Sequence, residues 1–165
     1  AEVRVAESGI PYTILRPPLV LGAGTEGSTA LARAARGGLV PLLGGGQVVH
    51  QPVDVDDLAA AALRATRTDI ARNRSLDLAG PERLSYRALV ERVARRRVRV
   101  VPIPVAPLRL LLSLRQRFLG PGFSPDVLDV LVEDTHVEAT RAAEEIGIQL
   151  TPLDATLAKN QEATA

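Results

Sequence analysis

Cysteine, methionine and tryptophan are all missing from the 165 residues. Without Cys there can be no disulfide, no thiolate-bound zinc and no thiol nucleophile. The two histidines, His50 and His136, are too few for a His-based metal cluster. With only two Tyr and two Phe, a core must be assembled from Leu, Val, Ile and Ala. Lysine is nearly absent as well, Lys159 standing alone among twenty basic residues. The formal net charge of +1 favours neither nucleic acid nor an anionic membrane surface. No uninterrupted apolar run reaches the roughly 18 residues a membrane-spanning helix needs. No basic start followed by an apolar stretch opens the chain either, so the cytoplasm is the expected compartment. The lack of Met extends to position 1, which fits a chain that begins inside a longer reading frame.

What is present is an alternation of short apolar strands and helices. Residues 1–8 read as the end of a helix, stopped by Gly9 and kept from resuming by Pro11. Tyr12 to Leu15 is a buried strand ended by Arg16-Pro17-Pro18, since neither Pro can donate to a ladder. Leu19 to Leu21 leads into a Gly-rich loop, and a helix follows over 28–36. Leu39 to Leu43, the turn Gly44-Gly45-Gly46 and Gln47 to Val53 read as a β-hairpin. Asp54 or Asp56 caps a helix over 57–66. A strand over 75–79 precedes a helix from Ser85 to about Arg96, and 98–103 is a further strand. Residues 105–119 form an amphipathic helix with Leu on one side and Arg on the other. Ser124-Pro125-Asp126 starts another helix, running to about Val132. Two short helices follow, one over 141–145 ended by Gly147 and one opened by Thr151-Pro152. The tail after Lys159 reads as polar and frayed. Strands alternating with helices define an α/β fold with a largely parallel sheet, and about four convincing strands are few for a complete one.

Gly22, Gly24 and Gly27 spell G-x-G-x-x-G between a strand and a helix, the pattern of a pyrophosphate-cradling turn. Three features argue for a structural loop instead. Pro17 and Pro18 stand where the preceding strand would need donors. The ribose-binding acid expected about 20 residues on is replaced by Gly44 to Val49. A hairpin signal also stands where the next parallel strand belongs. Gly44-Gly45-Gly46 lacks a following Gly-Lys-Ser/Thr and is a turn, not a phosphate loop. Asp54, Asp56 and Asp57 fit helix capping better than a metal site. The dense basic run of Arg92, Arg95, Arg96, Arg97 and Arg99 has no interleaved aromatics, so it reads as a solvated helix end rather than a nucleic-acid surface. The 105–119 helix packs on the domain or on a partner subunit, with peripheral membrane association as the alternative. His136, after Glu133-Asp134-Thr135, reads as a surface residue.

Several stretches occur in a recognisable order: Ser8 to Pro17, the Gly22 to Gly27 loop, Gln51 to Ala59 and Leu78 to Glu82. Together they resemble the extended and atypical short-chain dehydrogenases, the NAD-dependent epimerase/dehydratase superfamily. Phe123 to Asp126 and Leu150 to Leu153 look most like the branch that holds the accessory NAD(P)-binding subunit of respiratory complex I. The resemblance covers nearly the whole chain, at that family's C-terminal half. It implies the C-terminal part of a Rossmann-like NAD(P)-binding fold with its small substrate-side subdomain, residues 1–165 forming one portion. The N-terminal cofactor-gripping half would be absent, and that half or a partner subunit is the implied partner. NAD or NADP would be the cofactor of the full-length parent. The family's Tyr-x-x-x-Lys pair is not here, as neither Tyr12 nor Tyr86 has Lys four residues on, so the resemblance assigns no catalytic residue to this chain. Arg16, Pro17, Pro18 and Leu19 resemble the segment that passes the nicotinamide end of the cofactor. Leu19 stands where sugar-modifying members commonly hold Asn, which argues against sugar-nucleotide chemistry. His50 falls near a position often taken by a phosphate-binding Arg, and His50 and Gln51 are the positions offered for substrate contact. The resemblance thus implies the substrate-side half of an epimerase, dehydratase or reductase. Its alternative is a non-catalytic NADPH-binding accessory module stabilising a larger assembly.

Overall fold

The computed structural model describes residues 2–67, 69, 72–108 and 139–162. Strands and helices alternate along these segments, as an α/β fold requires. Their contacts resolve into two compact units. The first comprises residues 1–29, 51–83 and 136–165, the second 30–50 and 84–135.

In the first unit α1 (Glu2–Ala6) leads through Gly9, at φ +72°, to β1 (Thr13–Arg16) and β2 (Leu19–Leu21). The helix α1 buries none of its residues, contrary to the inward face expected of Val3 and Ala6. Later in the chain come β5 (Pro52–Asp54), α3 (Val55–Arg67) and β6 (Arg74–Asp77). The unit closes with α5 (Ala139–Ile146) and α6 (Leu153–Glu162). β1 pairs with β6 and β2 with β5, both parallel. Val53, Ala61, Leu76, Leu78 and Ile146 share one buried core, against which Leu15, Val20 and Leu58 pack. Gly147 ends α5 at φ +74°, donating its N–H to the Ala143 carbonyl at 2.8 Å, the left-handed stop expected of it. The chain beyond Lys159 stays helical to Glu162, where fraying was expected, because side chains of α6 are bonded to the rest of the unit.

The second unit takes up most of α2 (Glu26–Arg36), followed by β3 (Leu39–Leu43) and β4 (Val49–His50). It resumes with β7 (Leu84–Ser85), α4 (Tyr86–Ala94) and β8 (Arg99–Ile103). The expected hairpin is not formed. β3 pairs parallel with β8, and β4 pairs antiparallel with β7. Gly44, Gly45 and Gly46 all take positive φ and coil in a 3-10 turn instead of making a tight reversal. A side chain at Gly46 would collide with Leu42 and with the Arg87 backbone. Ser85 caps α4, its hydroxyl accepting the Ala88 N–H at 3.2 Å. The helix ends at Ala94, two residues short of expectation, because Arg95 itself adopts the left-handed conformation at φ +51°. Glu91 accepts the Val98 N–H at 3.3 Å, fixing the step into β8. Of the helix expected over 105–119 only residues 105–108 are described, and they are helical. The helix expected over 124–132 and His136 lie outside the described residues.

Candidate functional site

In open α/β sheets ligands gather beyond the carboxyl ends of parallel strands, and Arg16-Pro17-Pro18-Leu19 occupies that position after β1. Arg16 turns its guanidinium to two carboxylates. Its Nε donates to Glu2 Oε1 at 2.9 Å, its second nitrogen meets Glu2 Oε2, and Asp77 lies at 3.9 Å. Hydrogen bonding to Glu2 raises the Arg16 pKa, and the same contact lowers that of Glu2. Pro17 and Leu19 are half-buried and Pro18 is exposed. Leu19 stands opposite Pro52 in the β2–β5 register. This corner offers an apolar surface for an uncharged ring and holds no polar group placed for a phosphate.

The Gly22 to Gly27 loop has its own structural reasons. A Cβ on Gly22 would run into Val55, and one on Gly27 would lie 2.6 Å from the Val20 carbonyl oxygen. The Gly22 N–H donates to Ser28 Oγ at 2.9 Å. Thr25 donates its hydroxyl to the Gly22 carbonyl at 3.0 Å and accepts the Ser28 N–H at 3.2 Å, capping α2. The strand after α2 does not join β2, whose partner is β5, so no compact βαβ unit surrounds the loop. These donors close the loop on itself and do not fit a pyrophosphate.

Beyond β5 the carboxylates do more than cap. Asp54 Oδ1 accepts the Asp56 N–H at 2.8 Å, starting α3. Asp54 Oδ2 accepts the Thr156 hydroxyl at 2.6 Å and Lys159 Nζ at 3.3 Å. Asp57 accepts both the Thr151 N–H at 2.6 Å and its hydroxyl at 2.8 Å. Burial alone would push the Asp54 carboxyl up. The bonds from Thr156, the Asp56 amide and Lys159 outweigh it and hold the carboxyl below the ordinary aspartate range. Lys159 is raised in turn, first by Asp56 at 3.0 Å and then by Asp54. Asn160 Nδ2 donates to Ser28 Oγ at 3.0 Å. Thr151, Thr156, Lys159 and Asn160 therefore matter to the site, and only the amphipathic start at Thr151-Pro152 hinted at them. Among the described residues no three His, Cys, Asp or Glu side chains group as metal ligands.

The two positions offered for substrate contact separate. Gln51 is buried at the start of β5, and its carbonyl accepts the Gly80 N–H at 3.3 Å. His50 pairs with Leu84 and meets the Tyr86 ring edge-on, centroids 5.6 Å apart at 71°. Burial raises the Tyr86 hydroxyl above its ordinary range.

By sequence, no protein family and no curated protein matches the chain. Solved structures do. UDP-glucose 4-epimerase with UDP-glucose from Thermotoga maritima is 21% identical with a TM-score of 0.64, over 99% of this chain and 48% of its own. UDP-glucuronic acid 4-epimerase from Bacillus cereus, in complex with UDP-glucuronic acid and NAD, is 16% identical with a TM-score of 0.65, over 98% and 48%. RMD from Pseudomonas aeruginosa, complexed with NADPH, is 13% identical with a TM-score of 0.59, over 92% and 47%. The fold is thus α/β and Rossmann-like, of the kind seen in these epimerases. The chain spans about half the length of the structures it matches. No described helix is long and apolar enough to cross a membrane.

Proposed function

We propose that this chain is the substrate-side half of an NAD(P)-binding epimerase-, dehydratase- or reductase-like protein, equivalent to the C-terminal part of that fold. The observation that carries the reading is the fold match, which takes in nearly all of this chain but only 48% of a structure that holds NAD. Three features of the chain agree. The Gly22 to Gly27 loop spends its donors internally, leaving the pyrophosphate to be gripped elsewhere. Pro17, Pro18 and Leu19 would pack against the nicotinamide end of the cofactor, with Arg16 tied back to Glu2 beside them. His50 and Gln51 would act on the substrate side, Gln51 through its buried anchorage and His50 through its face beside Tyr86. When bound, the cofactor supplies hydride transfer; these residues orient and exclude water. A non-catalytic NADPH-binding accessory role for the parent, stabilising a larger assembly, is favoured by Leu19, an apolar group where sugar chemistry would use a polar one.

The test is calorimetric titration of NADH and NADPH into this chain and into the longer polypeptide of its reading frame. The expected result is no heat from the folded chain and micromolar binding by the longer one. Micromolar binding by the chain alone would make the Gly22 to Gly27 loop a working phosphate site and sink the reading. Turnover by the longer polypeptide separates the enzyme from the accessory module.

A further inference from the structure

The two strands of the β1–β6 pair are unlike each other. β6 carries Arg74, Ser75 and Asp77 exposed and buries only Leu76, the charge-protected pattern of a sheet edge. β1 half-buries Thr13, Ile14 and Leu15 in succession, the near-continuous apolar run of a strand with neighbours on both sides. Among the described strands, however, β1 has β6 as its one partner. The Leu78 N–H donates to the Arg16 carbonyl at 3.2 Å, so Arg16 and, by alternation, Ile14 aim their backbone groups at β6. Those of Leu15 aim at the opposite edge. The Arg16–Glu2 pair sets α1 at the end of this strand, and α1 and its following turn expose Val3 and Ile10 at 68% each and Val5 at 41%. An isolated two-stranded parallel sheet beside an exposed apolar helix is marginal in water.

We propose that the edge of β1 opposite β6 is a docking edge for a parallel strand from the other half of the polypeptide, which also covers Val3, Val5 and Ile10. The occupant follows from the matched structures, which are about twice as long as this chain, and the proposal rests on the half-fold reading above. A parallel strand fits because both faces of β1 are apolar.

The experiment is amide hydrogen exchange read residue by residue, in this chain and in the longer polypeptide of its reading frame. In the chain alone, Leu15 should exchange at least about tenfold faster than Leu78, whose N–H is bonded to β1. In the longer polypeptide the Leu15 rate should fall to that of Leu78, with Val3 and Val5 amides slowed alongside. An unchanged Leu15 rate there, or a slow one already in the monomeric chain, would overturn the proposal. Protection that disappears on dilution of the chain would assign the edge to a second copy and overturn it too, as would a frame with no further segment. A longer polypeptide that protects Leu15 but ignores NADPH would remove the cofactor reading and leave the docking edge standing.

Discussion

The Thr156 hydroxyl donates to the buried carboxylate of Asp54 at 2.6 Å, across 102 residues of sequence. One acid thereby starts α3 and holds α6. Removing it as Asp54→Ala takes away the cap and strands a buried hydroxyl, at a cost of about 2–4 kcal/mol. Thr156→Val keeps the shape and loses one hydrogen bond, at about 1–2 kcal/mol. Urea unfolding midpoints of the two variants should fall in that order. Equal midpoints would mean that the Thr156 contact is not formed in solution.

The same carboxyl makes stability depend on pH in acid. Its folded pKa lies below the ordinary aspartate value of 3.8. Its contribution is therefore complete above that value and lost as pH falls through the lower folded one. Lys159, raised above 10.5, contributes fully below that value and loses its contribution as pH rises through the folded one. Between the two the midpoint should be flat with respect to these groups. Asp54→Asn should flatten the acid limb, measured as the urea midpoint in steps below pH 4.

The chain has only two tyrosines, so Tyr12→Phe leaves Tyr86 as the single reporter in an alkaline absorbance titration. Burial should set its midpoint above 10.0, and the native state loses stability as pH rises past 10.0, where the unfolded phenol ionises first. His50→Ala removes the ring packed against it and should bring the midpoint down. A midpoint unmoved by that change would place the burial elsewhere.

Two glycines should behave oppositely. A Cβ on Gly80 would strike the Pro52 carbonyl, a backbone group that cannot give way. Gly80→Ala should therefore destabilise the fold by about 3 kcal/mol or more. Gly24 has open space and a φ of +76°, so Gly24→Ala meets only left-handed strain of about 1 kcal/mol. Thermal unfolding of both variants separates a packing glycine from a conformational one.

Much of this fold could be read from local chemistry. Ser85 capping α4, Gly9 and Gly147 stopping helices, and Asp54 opening α3 all act within a few residues, where sequence spacing decides the outcome. The hairpin at Gly44 to Gly46 was misread because glycines permit a reversal without requiring one. The preference of β3 for β8 depends on Arg99 to Ile103, about sixty residues on, and no periodicity encodes a partner. The end of α4 was missed because Arg95 does what a Gly usually does. Thr156 and Asn160 were illegible for the same reason as β8. A hydroxyl and an amide on a polar helix say nothing of Asp54 or Ser28 until the chain has closed.

That closure has a consequence for synthesis. The first unit is built from residues 1–29, 51–83 and 136–165, so its earliest and latest segments must meet. While residues 151–160 remain in the ribosomal tunnel, Asp54, Asp57 and Ser28 have no α6 donors to accept. The nascent chain can form its helix caps at once, but the latch waits for the last helix. Contacts of such long sequence separation slow folding and lengthen the interval in which chaperones and proteases can act on the unlatched chain.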